Sequence, residues 1–167
     1  MAKDLTTSEI SRQNILNNPV ALPRIREALE IKPLEFNGVL YVTKQMAADF
    51  YEVDLRTITN CLKDNEEELK KNGYRVLKGK ELKDFKLQYV KEIDFSNKMP
   101  QLGVFDFRSF LNIGMLLTER IWDMILEIVR EIAECFNIED EQILDMLVNR
   151  SDKLSHFVEI YQLKLES

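Results

Sequence analysis

Residues 42–62, VTKQMAADFYEVDLRTITNCL, order small, apolar and polar side chains as two short helices joined by a tight turn. Helices that cross this closely need a small residue near the middle of the first one; Ala48 stands there, with Ala47 beside it. Tyr51 follows one turn on, Val53 plugs the turn, and Ile58 with either Cys61 or Leu62 forms the inner stripe of the second helix. Asp54 falls where that helix begins, and its carboxylate can accept from the N–H groups of the first turn. The pattern is that of a helix-turn-helix whose second helix starts near Leu55. Its outward positions, Arg56, Thr57, Thr59, Asn60 and Lys63, suit base edges and phosphates: Arg for guanine, Asn for adenine, hydroxyls for either. Lys44 and Gln45, which open the first helix, join them as candidate DNA contacts. One departure is Glu52, at the turn position most often filled by Gly.

The flanks extend the motif. Residues 34–42, LEFNGVLYV, are two short runs around Asn37-Gly38, a strong hairpin signal. Asn72-Gly73 is expected to stop the second helix, and YRVL (residues 74–77) to form a strand that pairs with the hairpin as a wing. The expected fold is α+β and mostly helical: a winged or β-hairpin-decorated helix-turn-helix with a C-terminal helical module.

Charge divides the chain. Residues 1–101 carry 17 Lys and Arg against 16 Asp and Glu, whereas residues 102–167 carry 6 against 13, within a total of −6. The acidic balance thus belongs to the C-terminal part, and the overall charge is no argument against a nucleic-acid partner. Between residues 70 and 91, Lys70, Lys71, Arg75, Lys78, Lys80, Lys83, Lys86 and Lys91 face only Glu81 and Asp84. Such a run fits a phosphate-binding patch and equally a solvated helix face. Glu66, Glu67 and Glu68, near the expected end of the second helix, would have to point away from the phosphates.

The chain divides by composition into a polar arm at 1–18, weakly helical or disordered, a helix-turn-helix region at 19–101, and a strand plus helical region at 102–167. A short helix is expected over residues 20–29, with Pro19 and Pro23 at its start. Further helices are expected over 80–91 and 108–117, a loop over 94–101 and a strand over LGVFDF (102–107). Two long amphipathic helices follow, 119–136 and 139–165, with acidic residues opposite the apolar stripe of the first. They could pair two copies of the chain or fold back on the rest of it. No apolar run approaches the roughly 20 residues of a membrane span, and the N-terminus has no signal-peptide core, so a cytoplasmic protein is expected. Cys61 and Cys135, far apart on predicted apolar stripes, read as reduced core thiols.

The runs FYEVDLRTITNCLKDNEEELKKNGYRVL (50–77), GKELKDFK (79–86) and QLGVFDFRSFLNIGMLLTE (101–119) together resemble RhuM-like bacterial helix-turn-helix proteins. Such proteins are encoded in mobile, phage-derived and toxin-linked loci, some beside Fic or Doc toxin genes. The resemblance covers about residues 20–130, and its most specific piece is GVFDFRSFLNIGMLLTE; the helix-turn-helix is generic. It implies a DNA-binding regulator or antitoxin-like partner that recognises double-stranded DNA through Arg56, Thr57, Thr59 and Asn60. A toxin or other protein partner and a homodimer through 119–165 fit the same picture. The stretch after Glu119 lacks the serine-acidic and arginine-rich segment associated with that family, and residues 137–167 match nothing in it.

Catalysis, metals and cofactors find no support in the sequence. His156 is the only histidine, no Cys/His cluster has ligand spacing, and five glycines form no phosphate loop. A carboxylate pair of Asp106 with Glu119 defaults to a solvated face. The alternative to a DNA binder is a protein-interaction module or phage-type inhibitor that acts through its acidic C-terminal helices.

Overall fold

The computed structural model describes residues 8–17, 21–29, 31–93, 100–118 and 120–136, together with Gln142 and Asp145. It is a mostly helical α+β fold with a four-stranded antiparallel sheet. The elements run α1 (Glu9–Leu16), α2 (Ala21–Ala28), β1 (Leu34–Phe36), β2 (Val39–Thr43), α3 (Lys44–Tyr51), α4 (Leu55–Asp64) and α5 (Glu66–Lys71). They continue with β3 (Arg75–Lys78), α6 (Gly79–Gln88), β4 (Gln101–Phe105), α7 (Phe107–Leu117) and α8 (Arg120–Phe136). Two compact units result: Ile31–Ile113, and Met1–Glu30 with Gly114–Ser167, in which the described elements are helices. The division therefore differs from the expected boundary at 101/102, which would cut β4 from its own sheet.

β1 and β2 form the expected hairpin. Asn37 and Gly38 both adopt positive φ, +52° and +81°, the combination a two-residue turn between right-twisted strands requires. The Gly38 N–H also donates to the Glu35 carboxylate at 2.9 Å. The sheet order is β1-β2-β4-β3, with Thr43 opposite Val104 and Val104 opposite Arg75. The strand read from YRVL exists as β3, but it does not pair with the hairpin as a wing: β4 lies between them and pairs with both.

Alternation along β4 assigns the two faces of the sheet. Leu102 and Val104 join Phe36, Tyr41, Leu77, Leu82 and Phe85 in one cluster, so α6 covers that face. Phe36 meets Phe85 edge-on at a centroid distance of 5.3 Å. Gly103 and Phe105 point the other way, toward Tyr74 and the stem of Lys44 at the start of α3. A side chain at Gly103 would place its Cβ 2.2 Å from the Tyr74 hydroxyl and 2.7 Å from Lys44 Cε, so only glycine admits this packing. On that side, α7 braces α3: Tyr51 stacks on Phe110 at 5.0 Å, and its hydroxyl donates to the Phe110 carbonyl at 2.8 Å.

In the helical unit, residues 8–17 are not a loose polar arm. Ser8 caps α1 by accepting from the Ser11 N–H, and Ile15, Leu16, Ser11 and Arg12 are buried. α1 packs on α2, and α2 on α8. The expected helices over 20–29 and 119–136 are present as α2 and α8. Apart from Gln142 and Asp145, the expected helix over 139–165 lies outside the described residues, as do His156, Glu119, the Cys135 side chain and residues 94–99 of the expected loop.

Candidate nucleic-acid interface

α3 and α4 meet as the spacing predicts. Ala47, Ala48 and Ile58 are fully buried, and Cys61 and Leu62 share the partly buried edge of the inner stripe. The chain leaves α3 through Glu52, which adopts the left-handed conformation with φ +57° and ψ +44°. A glutamate thus performs the turn that glycine performs without strain, and the Val53 N–H closes the helix end by donating to the Ala48 carbonyl at 3.0 Å. Val53 and Ile58 flank the Asp54 cap at the positions of a hydrophobic staple.

Asp54 starts α4 as expected. Its carboxylate accepts from the Thr57 N–H at 2.8 Å and from the Thr57 hydroxyl at 2.9 Å. These two bonds, backbone first, hold the Asp54 carboxyl below its ordinary range, with a smaller contribution from Arg56. Thr57 is consequently half-buried and committed to the cap. Both its N–H and its hydroxyl serve the Asp54 cap.

The other outward residues form an exposed stripe. Arg56, Thr59, Asn60 and Lys63 lie at i, i+3, i+4 and i+7 on α4, with Leu55, 43% exposed, at its head. No side-chain hydrogen bond or ion pair joins Asn60 or Lys63 to other described residues, and Arg56 interacts with the Asp54 carboxylate beside it. The Thr59 hydroxyl donates back to the Leu55 carbonyl at 3.0 Å, which leaves its lone pairs outward. From residue 55 to 63 the helix rises about 12 Å, the length of three to four base pairs. Beside it on α3, Gln45 donates to Asp49 at 2.9 Å, and Lys44 is half-buried with its stem along β4.

The helix-turn-helix ends earlier than the sequence suggests. α4 stops at Asn65, whose backbone (φ −129°, ψ +30°) leaves the helical region and whose side-chain amide donates to the Cys61 carbonyl. Glu66–Lys71 is a separate helix, so the acidic triplet does not extend the recognition helix. Two of its members are used: Glu66 pairs with Lys70 at 2.6 Å, and Glu68 accepts from Asn112 at 2.6 Å. Asn112 in turn accepts from Asn72 at 2.6 Å, and Arg108 donates to Asn72 at 3.1 Å. This buried polar chain ties α5 and its following turn to α7. The turn also demands Gly73, whose φ is +118° and whose Cβ would fall 2.2 Å from the Asp106 carboxylate. Asp106 itself caps α7 by accepting from the Ser109 N–H and hydroxyl.

The basic run of residues 70–91 is not one surface with α4. Lys70 is paired with Glu66, and Arg75 is held by both Glu81 oxygens at 2.7 and 2.9 Å and by the Tyr41 hydroxyl at 3.0 Å. The Tyr41 bond, then Glu81, raises the Arg75 pKa against the opposing effect of partial burial. Arg75 therefore has an architectural role, linking β3 to β2 and α6. Lys71 and Lys78 are exposed at the ends of α5 and β3, whereas Lys80 stands on α6, the layer across the sheet from α3.

No protein-family model, curated protein or solved structure matches the chain. What the site can do is therefore argued from its own chemistry. Among the described residues no group of His, Cys, Asp or Glu side chains is placed to hold a metal ion, and no helix is long and apolar enough to cross a membrane. The polar chain through Asn72 and Asn112 escapes a periodicity reading, although an asparagine inside the apolar run FLNIGMLL is the signal that could have found it.

Proposed function

We propose that the protein binds double-stranded DNA with sequence preference, using residues 55–63 of α4 as the recognition helix. One observation carries this: α4 buries Ile58 against α3 while Arg56, Asn60 and Lys63 stand exposed on the opposite face. That is the division of labour a major-groove helix needs, a rigid seat and base-reading heads. Arg56 would take guanine, Asn60 adenine, and Lys63 and Lys44 the flanking phosphates. Leu55 and the Thr59 methyl add apolar contacts of the kind thymine methyl groups accept.

The biological role that accords with the resemblance to RhuM-like proteins is a cytoplasmic transcriptional regulator or the antitoxin-like partner of a toxin. No catalytic step is assigned to it. Residues 119–165 would supply a homodimer contact or a toxin-binding segment; a dimer would set two α4 helices about 34 Å apart, one turn of duplex. Selection from a random duplex library tests the reading. It should enrich a short motif containing G·C and A·T pairs, and Asn60→Ala should relax the preference at the adenine. Enrichment of no motif over the input library would count against sequence-specific binding.

A further inference from the structure

α4 opens on an aliphatic side chain. Leu55 is its first residue and is 43% exposed; of the five large apolar side chains exposed among the described residues, it alone stands on this helix. The Leu55 carbonyl accepts from the Thr59 hydroxyl one turn on, and Arg56 projects about 100° further round the helix, where the Asp54 carboxylate attracts its guanidinium. The N-terminal residues of a major-groove helix are the ones that meet base edges. A leucine and an arginine therefore stand side by side at the reading end of α4.

Chemistry narrows what Leu55 can read. An aliphatic group donates and accepts nothing, so it does not distinguish O4 of thymine from the N4 amino group of cytosine. What it detects is a methyl group at C5, which thymine alone among the ordinary bases carries into the major groove. 5-Methylcytosine presents the same methyl at the same place, on a pair whose other edge is guanine. Arg56, the next residue, suits the O6 and N7 acceptors of guanine, and consecutive residues in the first turn address neighbouring base pairs. We infer that α4 recognises a C5-methylated pyrimidine next to a guanine, thymine and 5-methylcytosine alike, so that cytosine methylation at this step strengthens binding. The inference rests on α4 being the DNA-reading helix; it adds that Leu55 makes the site responsive to the methyl group itself.

The test uses the full chain and the duplex recovered by selection from a random library. The duplex is remade with uracil in place of each thymine in turn, which removes the methyl and nothing else. At the position that responds, a C·G pair is then placed with the cytosine either plain or methylated at C5. Fluorescence anisotropy should show uracil beside guanine binding about fourfold more weakly than thymine, and 5-methylcytosine about fourfold more tightly than cytosine, the effect of withdrawing one methyl group from water. Leu55→Ser should level both comparisons while circular dichroism and the salt dependence stay those of the parent chain, and Leu55→Met should restore them. Should the serine variant fail to fold, the comparisons on the parent chain still decide. Equal affinity for thymine and uracil at every position, or for cytosine and 5-methylcytosine, overturns the inference while leaving α4 as the reading helix. A methyl preference that survives in a folded Leu55→Ser chain also overturns it, by giving the contact to another residue. Failure to bind any duplex is a different result: it removes the DNA reading, and this inference with it.

Discussion

Asn72 donates to Asn112 at 2.6 Å across forty residues of chain, and both side chains are buried. The pair is satisfied only because Asn112 passes its own amide hydrogen to Glu68 and Asn72 accepts from Arg108. Replacing Asn112 with leucine keeps the branched outline but strands a buried amide and a carboxylate. Asn112→Leu should therefore cost about 2–4 kcal/mol in chemical denaturation, more than a surface substitution by severalfold. A loss under 0.5 kcal/mol would show that the polar chain is not a structural tie.

Glu52 holds a left-handed backbone that glycine adopts without steric cost. Glu52→Gly should raise stability by about 1 kcal/mol despite the greater entropy of the unfolded chain, with duplex affinity unchanged. Urea melts of the two proteins check the sign; a destabilised glycine variant would contradict the assigned turn geometry.

Two glycines cannot be exchanged. At Gly73 an added Cβ meets the Asp106 carboxylate from a positive-φ backbone, and at Gly103 it meets the Tyr74 hydroxyl. Gly73→Ala and Gly103→Ala should each cost about 1–3 kcal/mol, with the former the larger because backbone strain adds to the clash. Thermal melts of both variants near the parent value would refute the close approaches.

Asp54 gives the stability curve a defined acid limb. Its folded-state carboxyl titrates below the ordinary value of 3.8, so ionisation favours the folded chain. The contribution is complete above that ordinary value and is lost as pH falls through the lower folded one. Asp54→Asn retains an acceptor for Thr57 without the titration. Relative to the parent chain it should lose less stability between pH 5 and pH 2, read from melting temperatures across that range. Parallel pH profiles would place the charge of Asp54 outside the cap.

The parts of this architecture that were legible rest on local chemistry. Asn37-Gly38 marks the hairpin because the turn needs two positive φ values, and Ala48, Asp54 and Ile58 mark the helix pair because each meets a steric or capping demand within a few residues. The placement of β4 between β2 and β3 was not legible, since pairing across some sixty residues leaves no local signature. For the same reason the lysines of residues 70–91 read as one patch: a linear count does not say which side of a sheet a helix covers, and Arg75 finds Tyr41 and Glu81 only in the fold. α1 was legible in principle from Ser8 before Glu9, but its polar composition hid the burial of Ile15 and Leu16.

Binding of duplex DNA to two double variants tests the central claim most directly. Fluorescence anisotropy with a selected duplex should show affinity falling by about 12-fold between 50 and 200 mM salt, as the two phosphate contacts of Lys44 and Lys63 require. Arg56→Ala with Asn60→Ala on α4 should weaken binding by roughly 10–100-fold, whereas Lys80→Ala with Lys83→Ala on α6 should change it less than about twofold. No salt-dependent binding at 50 mM, or a loss carried by the α6 variant and not the α4 variant, would contradict α4 as the DNA-reading element.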